Sequence, residues 1–109
     1  MHRIQLPTNV LIATTDTIPG FRVVRILSVS NTVGITPLTE RVIDNAVLSD
    51  AILETARGTI RDLMLRAGQD DANAILGLQH SHTVDLTRHI VTVLTMGTFA
   101  IVELLPPGP

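Results

Sequence analysis

The chain contains no cysteine. That excludes disulfides, thiolate nucleophiles and thiolate metal sites, and it leaves the redox compartment open. Trp and Tyr are also absent, so Phe21 and Phe99 are its only Phe, Trp or Tyr residues. Flavins and nucleobases usually stack on flat side chains, which weakens a flavin-storage role. Charge is scarce: Asp, Glu, Lys and Arg make up 17% of the residues, against about 25% in an average soluble domain. Lys and Arg total 8 and the formal net charge is -2. No basic excess exists to neutralise phosphates, so nucleic acid is not an expected partner. No window has the length and apolarity of a membrane-spanning helix, and no membrane association is expected. The opening "MHRIQLPTNVLIATT" lacks the continuous apolar region and small-residue cleavage site of a signal peptide. A cytoplasmic location is the default expectation.

What is present is apolar and β-rich. The mean hydropathy is +0.38. The 109 residues are read as one domain, with a core over about residues 9–104 and a proline-rich tail over 105–109. A domain of this size buries a single core with little margin. Large exposed apolar patches are rare on monomers, so the charge deficit points to surface buried against copies of the chain. A homo-oligomer is the expected state.

Two β-rich runs open the chain, over residues 10–15 and 21–35, with Asp16, Pro19 and Gly20 punctuating the turn between them. Thr36 then has the chemistry of a helix N-cap and Pro37 suits the first helical position. Asn45 and Ser49 predict a break, and Ser49 and Asp50 a second cap. From Ile52 the period is helical: Ile52, Leu53, Ala56, Ile60, Leu63, Met64 and Ala67 form one stripe. Glu54, Arg57, Arg61, Asp62 and Arg66 lie mostly opposite, with Gly68 as the helix stop. Such a stripe serves the domain's own core more often than a partner helix. Two more β runs follow, over residues 74–84 and 89–104, joined by the short polar segment "VDLTRH".

The order β-β-α-β-β predicts a two-layer α+β sandwich, one main helix on one face of an antiparallel sheet. One helix cannot cover four strands, two of them around 15 residues long by this reading. The uncovered sheet is expected to meet another subunit.

Three of the four histidines fall in "LQHSHTVDLTRHIV", as His80, His82 and His89. With Leu86-Thr87 as a two-residue turn, Asp85 pairs with Arg88, Val84 with His89, and His82 with Val91. Alternation then puts His80, His82 and Val84 on one face, with His89 opposite Val84 and diagonal to His82. Diagonal neighbours lie about 7–8 Å apart, so three imidazoles can converge on zinc, copper or nickel. A shift of one residue in the turn sends His89 to the other face. The alternative reading is a hairpin tip dressed with polar residues. Asp85 points to the opposite face in this register.

No enzyme is expected. Ser81, His82 and Asp85 are close in sequence, but Ser81 and His82 face opposite ways on a strand and no G-x-S-x-G elbow exists. Asp70–Asp71 reads as a solvated turn. Gly20 and Gly34 do not form a phosphate-cradling loop.

The segment "LIATTDTIPGFRVVRILSVSNTVG" resembles the start of the YbjQ family, small bacterial and archaeal proteins labelled heavy-metal-binding. The family's Thr-Thr pair and Ile-x-Gly match Thr14, Thr15, Ile18 and Gly20. "DANAILGLQ" resembles the family segment after the helix through Ala72, Asn73, Ala74, Ile75, Gly77 and Leu78. "MGTFAIVEL" resembles its last strand through Gly97, Thr98 and Ala100. The family's Gly-Arg-Ser-Gly-type segment is missing, the helical region is shorter, and Asp71 replaces the Gly before Ala-Asn-Ala. The resemblance implies a dodecin-like subunit in a ring, typically a homopentamer whose long strands build an inter-subunit β-barrel, with no established enzymatic activity. It also draws attention to Thr14, Thr15 and Asp16. One reading is a small-ligand pocket at a subunit boundary; the other is a strand end and turn that fix the sheet.

Overall fold

Residues 10–106 are described by a computed structural model; the end of the proline-rich tail, residues 107–109, and residues 1–9 lie outside the described part. The element order is β1 (Leu11–Ile12), β2 (Phe21–Pro37), α1 (Asn45–Gln69), β3 (Ala74–Asp85) and β4 (Ile90–Leu104). The sheet runs β1-β3-β4-β2. β2, β4 and β3 are antiparallel neighbours, while β1 adds to the outside of β3 in parallel. The expected α+β order is therefore present, with a parallel edge strand on an antiparallel sheet.

Helix entry differs from the sequence expectation. Thr36 and Pro37 do not start a helix; they finish β2, paired with Val91 and Ile90. Pro37 is tolerated because it closes a strand that, among the described residues, has a neighbour on one side only. The helix starts eight residues later, where the Asp44 carboxylate accepts from the Val47 N–H at 2.9 Å. Asn45 and Ser49 then sit inside one continuous helix. Helix exit also differs, since Gly68 remains helical and Asp71, at φ 63°, takes the left-handed position. Asp tolerates that region better than most side chains.

Along α1 the buried residues are Ala51, Thr55, Ala56, Thr59, Leu63 and Ala67. These are mostly small, so the helix approaches the sheet closely. The sheet answers with glycine: a Cβ on Gly34 would come within 2.9 Å of the methyl carbons of both Thr55 and Thr59. One apolar cluster joins Leu63, Ala67, Ala72, Ile75 and Phe99; another joins Leu38, Ala51, Ala56, Val91 and Val93. Between the clusters runs a layer of threonines. Thr32 donates to the Thr59 carbonyl at 2.8 Å, Thr59 and Thr95 share a 2.7 Å hydroxyl pair, and Thr36 and Thr55 another at 2.5 Å. Each buried hydroxyl thus has a partner, which removes the cost of desolvating it alone.

Among the described residues the opposite face is covered at one end only. There Ala13, Ile18 and Phe21 pack on Ala74, Leu76, Ala100 and Val102. Along the rest of that face Val29, Val33 and Ile35 remain 74%, 58% and 63% exposed. The 25 residues of α1 span about 37 Å. The 17 residues of β2 span about 56 Å, so the long strands outrun their cover.

Candidate functional site

The site begins with the outer edge of β3. In an antiparallel ladder, alternate residues direct both backbone groups to one neighbour. The Ile75 carbonyl points outward, where it accepts from Ala13 N–H at 3.0 Å. One extra residue is inserted at Gly77–Leu78, where the register shifts between Leu76 and Gln79, and this bulge changes the parity. Beyond it His80, His82 and Val84 turn their backbone groups outward. Residues 11–15 occupy the edge as far as Leu78, whose N–H donates to Ala13. From Gln79 to Asp85 no strand lies on the outer side of β3 among the described residues.

The side chains of His80 and His82 project to the helix side. His80 pairs with Thr95 and His82 with Val93, and both partners are buried against α1. Directly opposed residues share a face. The two histidines are nevertheless exposed, because α1 packs mainly on β4 and β2 and only marginally on β3. They stand two residues apart, about 6.8 Å along the strand. On the other face Gln79, Ser81, Leu94 and Met96, with part of His80, line a shallow depression of about 80 Å³.

His89 does not join them. The turn is four residues, 86–89, not two: Val84 pairs with Val91, Asp85 with Ile90, and His82 with Val93. The register predicted from Leu86-Thr87 is thus displaced by two residues on β4. The reason lies at Asp85. Its Oδ1 accepts from the N–H groups of both Thr87 and Arg88 at 3.0 Å, an Asx-type turn that a two-residue loop cannot form. Arg88 approaches the same carboxylate at 3.9 Å. His89 closes the turn at φ 56°, and its carbonyl accepts from Leu38 N–H at 2.7 Å. Among the described residues no three His, Asp or Glu gather as metal ligands.

Thr14, Thr15 and Asp16 follow β1 and are exposed. Thr15 accepts from Gly77 N–H at 2.9 Å through its carbonyl and donates its hydroxyl to Thr17 O at 2.7 Å. The Asp16 carboxylate lies 3.5 Å from where a Cβ on Gly77 would sit. These contacts hold the loop onto the bulge of β3.

Two roles were not legible in the sequence. The Asn73 side chain donates to Val102 O and accepts from Val102 N, both at 2.8 Å, extending the β4 ladder one step beyond β3. Thr55 and Thr59 look like ordinary helix residues until the sheet threonines are placed opposite them.

No family model and no curated protein sequence matches the chain. Among solved structures it is similar to a crystal structure of a protein of unknown function from the DUF74 family of Pediococcus pentosaceus ATCC 25745. The TM-score is 0.68 at 18% identity, over 86% of this chain and 98% of that one. At that identity the likeness concerns the fold. Among the described residues no helix is long and apolar enough to cross a membrane.

Proposed function

We propose that this is a cytoplasmic, YbjQ-type homo-oligomeric ring protein, pentameric and non-catalytic, that binds a divalent transition metal through His80 and His82. The observation that supports metal binding is the pair itself: two exposed imidazoles on one face of a rigid strand, two residues apart. Imidazole nitrogens suit zinc, copper and nickel. His89 is left out of the ligand set because it belongs to the turn. The ring is supported by the bare sheet face around Val29, Val33 and Ile35 and by the outer edge of β2, beside which no strand lies among the described residues, since exposed edges and apolar patches of this extent favour association.

Calorimetry with zinc, copper and nickel tests the metal reading. Wild type is expected to give a binding isotherm that His82→Ala loses, and equal heats for the two would refute it. Light scattering at micromolar concentration tests the ring, and a monomer there would refute it.

A second reading is a scaffold or small-ligand ring whose ligands sit at subunit boundaries. The exposed apolar strip on β2 favours it. Metal-independent assembly with no metal isotherm would decide for this reading.

A further inference from the structure

We infer that one metal ion is held by two copies of the chain, each contributing His80 and His82, at a two-fold contact between β3 edges. This rests on the metal reading above and adds where the remaining ligands come from. The pair supplies two imidazole ligands, and zinc in a closed site takes four. Among the described residues no third His, Asp or Glu joins the pair. The other open edge cannot supply one, for β2 reads "FRVVRILSVSNTVGITP" and contains neither His nor Cys nor a carboxylate. The edge of this chain that presents exposed imidazoles is β3 itself. A second copy of β3 brings the same pair.

The backbone is arranged for that meeting. His80 and His82 point both their N–H and C=O groups outward, so two antiparallel copies centred on Ser81 place His80 opposite His82 of the other copy. Directly opposed Cβ atoms are then about 4.5–5.5 Å apart across the contact, against about 6.8 Å along each strand. Four imidazoles occupy the corners of a small rectangle on one face. The helices leave that face open, since α1 lies mainly over β4 and β2. The paired stretch is short. Leu78 is already engaged by Ala13, which confines the contact to residues 79–83 of each copy. Two strands of that length are marginal in water by themselves, so the ion is required to hold them. A five-membered ring has no two-fold axis within it, and such a contact therefore joins one ring to a second.

The test is a titration of the full chain with zinc chloride, followed by multi-angle light scattering before and after EDTA. The expected result is one zinc per two chains and a doubling of the metal-free mass, reversed by EDTA. His80→Ala and His82→Ala each abolish the doubling, with unchanged circular dichroism, while His89→Ala retains it. One zinc per chain without a change in mass would overturn the bridged site and leave metal binding by the pair standing. Any other mass ratio, or doubling that survives His82→Ala, also overturns it. No zinc uptake would overturn this inference together with the metal reading.

Discussion

The hydroxyls of Thr59 and Thr95 meet at 2.7 Å between the helix and the sheet, both of them buried. Their surroundings are unequal. Thr59 also bonds to the Ala56 carbonyl at 2.7 Å, whereas Thr59 is the hydrogen-bond partner described for the Thr95 hydroxyl. Thr59→Val therefore strands a buried hydroxyl and is expected to cost about 1–3 kcal/mol. Thr95→Val leaves Thr59 bonded and costs less. The double variant recovers part of the Thr59→Val loss. Urea unfolding of the three variants measures the order.

Glycine positions separate close packing from plain chain entropy. A Cβ on Gly97 would meet Ile75 Cγ2 at 2.5 Å, while nothing lies within 4 Å of one on Gly58. Gly97→Ala is expected to destabilise by about 1–3 kcal/mol through overpacking. Gly58→Ala, in the middle of the exposed face of α1, is expected to stabilise by about 0.5–1 kcal/mol. Opposite signs in thermal melts check both.

Asn73 serves Val102 as donor and acceptor together. Asn73→Asp keeps the shape but removes the donor. It should lose about 1–3 kcal/mol through the unpaired Val102 carbonyl. Hydrogen exchange would show faster opening at the end of β4 than in the wild type.

Substituting the bare strip probes assembly without touching the core. Val33 and Ile35 are exposed in the isolated chain. Val33→Glu is expected to leave circular dichroism and monomer stability within about 0.5 kcal/mol, as for most surface changes. If the strip is a subunit contact, the variant lowers the mass seen by light scattering.

Much of the fold follows from local chemistry. The alternating runs after residues 21, 74 and 89 become β2, β3 and β4 with little change at their ends, because strand period and turn residues act locally. The helical stripe from Ile52 is visible in part: Ala56, Leu63 and Ala67 are buried, while Leu53 is exposed and Ala51, Thr55 and Thr59 complete the buried face in its place. Helix entry is where the local signal, at Thr36-Pro37, and the fold disagree. Those residues have good cap chemistry, but pairing with Val91 and Ile90 outweighs a local preference.

For the candidate site, the residue pattern by itself determined that His80 and His82 share a face, since two-residue spacing on any strand does so. It also identified a chain poor in charge and rich in β-forming residues. Only the tertiary structure decided the rest. The Asp85 turn displaced the register and took His89 away from the pair. The placement of α1 over β4 and β2 left both imidazoles exposed on the helix side. Cover depends on contacts between residues distant in the chain, which no local pattern encodes, whereas the register follows from the competition between two turn lengths, settled by the bonds that the Asp85 carboxylate makes in the longer one.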